Sequence, residues 1–162
     1  MNPKVVVLLA RTNNLSTSTL AGIAAGIEAM VRTIQTKAPA ATIVLMGIFL
    51  KNDNMAFLPM IESINASLSK LADGRKIRYF NINDKLAGPD GKLFDGMMDA
   101  KDKLHPIAKA YQVWADALKP VLTEFLGPPA TVDHEPPATG DPSAGQKIVI
   151  VTLLPRGLTV QF

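Results

Sequence analysis

Three short apolar runs, each followed by a segment of helical period, constrain this chain more than any other feature. KVVVLLA (Lys4 to Ala10) and ATIVLMGIF (Ala41 to Phe49) are continuous runs rich in β-branched residues, and KIRYFNI (Lys76 to Ile82) is a third strand-like run. A strand with one wet face alternates apolar and polar residues. A continuous run therefore reads as a strand buried on both faces, as in a parallel sheet. Between them, Leu20, Ile23, Ile27, Met30, Val31 and Ile34 follow the 3.6-residue spacing of an amphipathic helix, with Ser and Thr at 16–19 as natural N-caps. Phe57, Ile61, Ile64, Leu68 and Leu71 mark a second helix, whose Pro59 is tolerable in a first turn. A last long helix starts near Pro106, with Ile107, Tyr111, Trp114, Leu118, Val121 and Phe125 on one face. Tyr111 and Trp114 are expected in the core, and Pro120 is expected to kink the far side.

Strand and helix in strict alternation predict an α/β fold with a parallel sheet and right-handed crossovers. In such a sheet the functional edge is formed by the loops after the strands' carboxyl ends. Here those loops are residues 11–18, 50–56 and 83–105. From Gly127 the composition changes to the Pro- and Gly-rich GPPATVDHEPPATGDPSAG, followed by the strand-like KIVIVTLL (147–154). The expected organisation is an α/β domain over 1–126, a linker over 127–146 and a strand-bearing arm over 147–162.

The totals narrow the function classes. A chain of 162 residues is long enough for one domain with a real core. It has no cysteine, which excludes disulfides and thiolate metal sites. A net charge of +3 without any Lys/Arg block gives no reason to expect nucleic acid. No apolar run is long enough for a membrane span. The N-terminus lacks the shape of a signal peptide, so the default location is the cytoplasm; a segment upstream would reopen secretion. His134 and Glu135 form an isolated pair, which predicts no metal site. No glycine-rich phosphate loop is present, so neither nucleotide nor other cofactor is expected.

The chemistry concentrates in Asp102-Lys103-Leu104-His105, which contains one of only two histidines in the chain. A carboxylate three residues before an imidazole can accept the ring's Nδ1–H. This fixes the tautomer and leaves Nε2 free to take a proton. The competing reading makes Asp102 and His105 simple caps of the helix that follows.

Taken together, NPKVVVLLARTNN, IVLMGIF, INASLSKL, DKLHP and AYQVWADALKP resemble the SGNH (GDSL) hydrolase family, in the branch of platelet-activating-factor-acetylhydrolase-like esterases. The resemblance covers residues 2–126 and implies a flavodoxin-like α/β/α sandwich that hydrolyses small esters of carboxylesterase or arylesterase type. It implies that Asp102 and His105 are the orienting acid and the base, and that Asn13, in Arg11-Thr12-Asn13-Asn14, is the oxyanion asparagine. Asn14 and Arg11 then become substrate-binding candidates; Arg11 stands where the family has glycine. The Gly-Asp-Ser and glycine blocks that precede this strand in the family are not found, so the chain reads as N-terminally incomplete relative to the family.

The nucleophile therefore has several readings: Ser16 or Ser18 in the loop after the first strand, water activated by His105, a serine from another chain, or, last, Ser143 of the linker. Against the serine readings, Ser and Thr before a helix are more often caps. An alternative function is a non-catalytic binding module. In the family the absent first strand lies beside the Val5 strand. Residues 147–154 are expected to cover that edge, in their own chain or as a strand-exchanged homodimer.

Overall fold

The computed structural model describes residues 2–10 and 12–129. Its elements are β1 (Val5–Leu8), α1 (Leu20–Lys37), β2 (Thr42–Met46), α2 (Leu58–Ser69), β3 (Ile77–Phe80), α3 (Asn83–Leu86) and α4 (Ala108–Leu126). Most of the predicted linker, the predicted strand over 147–154 and Arg11 lie outside the described residues.

The strands form a parallel sheet in the order β1-β2-β3, with Val7 opposite Val44 and Val44 opposite Arg78. Alternation along β2 then makes three layers. Ile43 and Leu45 pack with Ile27 and Val31 of α1 and with Ile61, Ile64 and Leu68 of α2. Val44 and Met46 face the other way, into a cluster with Leu86 of α3 and with Ala110 and Leu118 of α4. Helices on both faces of the parallel sheet that the alternation predicts give the α/β/α, flavodoxin-like architecture that the resemblance implies. Each fully buried Ile or Leu of these clusters contributes about 1.5–3 kcal/mol by leaving water.

The two continuous apolar runs do not behave alike. All five residues of β2 are buried, but Val7 of β1 is 39% exposed. The expectation that both runs are buried on both faces is corrected for β1. The reason is positional: β2 lies between two neighbours, whereas among the described residues β1 pairs with β2 alone.

Helix boundaries follow local chemistry. Thr19 caps α1, its Oγ1 accepting the Gly22 N–H at 3.1 Å. Pro59 sits in the first turn of α2, where its missing N–H costs no helical bond. The short α3 is not signalled by apolar periodicity, because one turn is too short to show a period. Helix α4 starts two residues after Pro106, with Ile107 at the N-cap and no side-chain cap bond, and it includes Pro120. Its predicted apolar face is corrected at its start, where Ile107 is 38% exposed. Leu118 is buried, but Tyr111 is 48% exposed and is not a core residue.

Candidate active site

The segment between α3 and α4 is a closed loop rather than a free connection. The Ile107 N–H donates to Met97 O at 3.2 Å, and the Asp99 N–H donates to His105 O at 2.8 Å. Inside it, Asp99 Oδ1 accepts the Lys101 N–H at 2.8 Å, and the Lys103 N–H returns to Asp99 O at 2.9 Å. Lys103 adopts a left-handed backbone, φ 52°, the only described non-glycine residue with positive φ. That conformation turns the chain back within the Asp-x-x-His segment.

The turn gives Asp102 three bonds, two of them to His105. Asp102 Oδ1 accepts the backbone N–H of Leu104 at 2.8 Å and of His105 at 3.0 Å, and Oδ2 lies 2.6 Å from His105 Nδ1. The backbone N–H of His105, then its ring, then the Leu104 N–H hold the Asp102 carboxyl well below the usual range, down to about 2. Asp102 is thus a carboxylate at any neutral or mildly acid pH. Both side chains are roughly half exposed, 43% for Asp102 and 56% for His105, so Coulomb attraction across the pair is weak. What the pair supplies is orientation: with Nδ1 held by the carboxylate, Nε2 is the ring nitrogen available for proton transfer. Neither residue caps α4, whose N-cap is Ile107.

Nε2 belongs to a ring that lines a pocket of about 250 Å³ over the carboxyl ends of the strands. One wall comes from the end of β1 and the turn that follows it: Leu9, Ala10, Thr12 and Asn13. A second comes from Phe49, Leu50 and Lys51 after β2, and a third from the closed loop and α4, with Met98, His105 and Tyr111 among its residues. Asn13 and His105 therefore share one pocket, as the topology predicts for loops that follow parallel strands. Leu15, 4% exposed, anchors the short Thr12–Asn14 turn, and its N–H donates to Thr12 O at 3.1 Å.

The wall after β2 is clamped from behind. Asn65 of α2 is 6% exposed; its Oδ1 accepts the Ile48 N–H at 2.7 Å and its Nδ2 donates to Ile48 O at 2.9 Å. Asn83 of α3 repeats the pattern: its Nδ2 donates to Ile48 O at 2.9 Å and its Oδ1 accepts the Leu50 N–H at 3.1 Å. These two asparagines fix the backbone that presents Phe49 and Lys51. The same loop is tied to the Asp102–His105 loop by the Asn52 N–H, which donates to Lys103 O at 3.2 Å. Lys51 adds little net charge to the wall, because its ammonium is 3.0 Å from Asp53 Oδ2 and 4.7 Å from the Phe57 ring centroid.

Other expected site residues fall elsewhere. Asn14 and Ser16 are exposed and are not among the residues lining this pocket. The Asn14 carbonyl accepts the Thr17 N–H at 3.2 Å and the Ser18 N–H at 2.9 Å. Arg11 lies outside the described residues. Among the described residues, the hydroxyls lining the pocket are those of Thr12 and Tyr111. Sequence reasoning missed Asn65 and Asn83, and it placed Tyr111 in the core. No helix among the described residues is long and apolar enough to cross a membrane.

Comparisons with known proteins bear on the family and the fold. Residues 1–113 match the model of the GDSL-like Lipase/Acylhydrolase family. The chain is 28% identical over 131 residues to platelet-activating factor acetylhydrolase IB subunit alpha2 of Gallus gallus, covering 78% of this chain and 55% of that protein. It thus spans about half the length of the curated relatives it matches. Among solved structures it is similar to a GDSL-like lipase from Bacteroides thetaiotaomicron, with a TM-score of 0.63, 20% identity, and coverage of 76% of this chain and 64% of that one. It is also similar to a family two carbohydrate esterase from Clostridium thermocellum, with a TM-score of 0.55, 17% identity, and coverage of 78% and 37%. At these identities the likeness to solved structures speaks for the fold.

Proposed function

The chain belongs to the GDSL-like lipase/acylhydrolase family, and from that membership we propose that it hydrolyses small carboxylic esters with His105 as the base. The observation that carries this reading is the 2.6 Å contact between His105 Nδ1 and Asp102 Oδ2 at the rim of a pocket that Asn13 also lines. In this mechanism Asp102 holds the imidazole in the tautomer with a free Nε2 and stabilises the imidazolium once it forms. Nε2 takes the proton of the attacking hydroxyl as it adds to the ester carbonyl. The Asn13 side-chain amide donates to the oxyanion that develops, a role typically worth about 3 kcal/mol. The imidazolium then returns its proton to the departing alkoxide.

Besides Ser18 and a serine from another chain, two sources of the attacking oxygen are open to His105. One is Ser16, which lies in the loop after β1 on the same edge of the sheet; this route proceeds through an acyl-enzyme. The other is water taken directly by His105, a slower route that needs no serine. A fluorophosphonate probe separates them: a label on Ser16 assigns the first, and turnover without any label assigns the second. Small acyl groups are the proposed substrates, in keeping with the acetylhydrolase name of the curated relatives.

The central test is turnover of p-nitrophenyl acetate or butyrate by the wild type and by His105→Ala. Turnover that disappears in the variant is the expected result; equal rates remove the hydrolase reading. A second reading, a pocket that holds an ester without cleaving it, is favoured by one observation. Among the described residues no serine lines the pocket. Binding of an ester with neither turnover nor label would select that reading.

A further inference from the structure

Tyr111 is 48% exposed although it lies on the apolar face of α4, and its ring borders the pocket. It does not stand alone. Its ring centroid is 6.1 Å from that of Trp114 with the planes tilted by 35°, and Trp114 meets Phe49 edge-on at 5.7 Å and 85°. The three rings form a ladder from the exposed rim to the wall after β2. The ladder is rigid for reasons already described. Tyr111 and Trp114 are three residues apart on one helix, so their rings are neighbours. Phe49 belongs to the backbone that Asn65 and Asn83 clamp through Ile48 and Leu50. A single exposed aromatic ring needs no explanation. A half-exposed ring that continues an ordered aromatic wall, beside the only described histidine, is a preformed contact surface. Its chemistry is specific: an aromatic face takes a flat apolar surface, either another π system or the C–H face of a pyranose.

Resting on the ester-hydrolase reading, we propose that Tyr111 is a specificity residue that selects esters bearing a six-membered ring, and that the Tyr111–Trp114–Phe49 ladder is the platform for that ring. The reacting carbonyl lies toward His105 and Asn13 while the ring lies against Tyr111. Because the ring touches Tyr111 in the ground state and the transition state alike, its loss acts on KM and leaves kcat nearly unchanged.

The test uses the full chain and three acetate esters: phenyl acetate, a methyl O-acetyl-xyloside and ethyl acetate. Tyr111→Ala is expected to raise KM at least fivefold for one or both ring-bearing esters and less than twofold for ethyl acetate, with kcat within twofold throughout. Tyr111→Phe, which keeps the ring and removes the hydroxyl, is expected to stay within twofold of wild type. Whichever ring ester responds tells whether the platform takes an aryl or a sugar face. Equal KM changes for ring and open-chain esters, or none, would overturn the proposal.

A binding measurement separates the platform from the catalysis. Trp114 is the chain's single tryptophan and lies on the platform, so its emission reports occupancy. Saturable quenching by phenol or methyl xyloside that Tyr111→Ala abolishes supports the platform even in a protein that cleaves nothing. Turnover of all three esters without ring preference keeps the hydrolase and removes the platform. Neither quenching nor turnover removes both.

Discussion

Both oxygens of Asp102 are used within four residues of chain, and this defines what substitution there does. Asp102→Asn replaces an acceptor with a group that can donate to Nδ1, which favours the wrong tautomer. The expected outcome is a fall in kcat for p-nitrophenyl acetate of about 10³–10⁴-fold with little change in KM, measured under steady-state conditions. On the proposed mechanism Asn13→Ala removes a single oxyanion donor and is expected to lower kcat by about 10²–10³-fold. Lys103 tests the turn itself. A side chain at φ 52° carries a left-handed penalty of about 1–2 kcal/mol. Glycine relieves that penalty but gives back about 0.5–1 kcal/mol through a more flexible unfolded chain. Lys103→Gly is therefore expected to stabilise by about 0.5 kcal/mol in urea denaturation, and a loss of more than 1 kcal/mol would show that the lysine side chain matters in its own right. At this scale the Asp102–His105 contact was legible in the sequence, because its partners lie in one local window. Tyr111 was not, since an i, i+3, i+4 pattern marks one face of a helix without saying whether that face meets the core or a pocket.

Among the elements, the segment leaving β2 depends on α2 and α3 for its shape. Asn65→Ala would leave the Ile48 N–H without its partner in a buried setting and open a small void. Unsatisfied buried groups cost about 1–3 kcal/mol each, so a loss of about 3 kcal/mol is expected by chemical denaturation, larger than for any exposed polar substitution on α2. Asn83→Ala, at a less buried position, is expected to cost about 1–2 kcal/mol. The strands and the three long helices could be read from apolar runs and helical periodicity. The clamp could not: Asn65 and Asn83 bond to backbone 17 and 35 residues away, and an asparagine in a helix carries no sign of where its amide will go. The one-turn α3 escaped for a related reason, as its single buried residue, Leu86, makes no pattern.

For the whole molecule, three carboxylates share one device. Asp73 Oδ1 accepts the N–H groups of Arg75, Lys76 and Ile77, each at 2.8 Å, so it titrates below the usual aspartate value. Asp90 is lowered chiefly by the backbone N–H of Lys92, and Asp102 is lowered to about 2. A carboxylate whose folded value lies below its unfolded value of about 3.9 stabilises the fold above that pH. The contribution is lost as pH falls through the folded value. Thermal unfolding midpoints are thus expected to be insensitive to these groups from pH 7 to about 4.5 and to drop as pH falls from about 4 toward 2. A drop centred near pH 6 would point to other groups. The convergence of the Asn13 and His105 loops was legible from topology, since successive parallel strands place their exit loops on one rim. The exposure of Val7 was not, because a continuous apolar run reads the same in an interior strand and in an outer one.

The Asp102–His105 turn closes on itself: its carboxylate, its imidazole and the bonds that join them all come from Asp102 to His105. Such a segment is a cassette. If His105 is the base, this segment keeps its internal shape whichever neighbour brings the attacking oxygen.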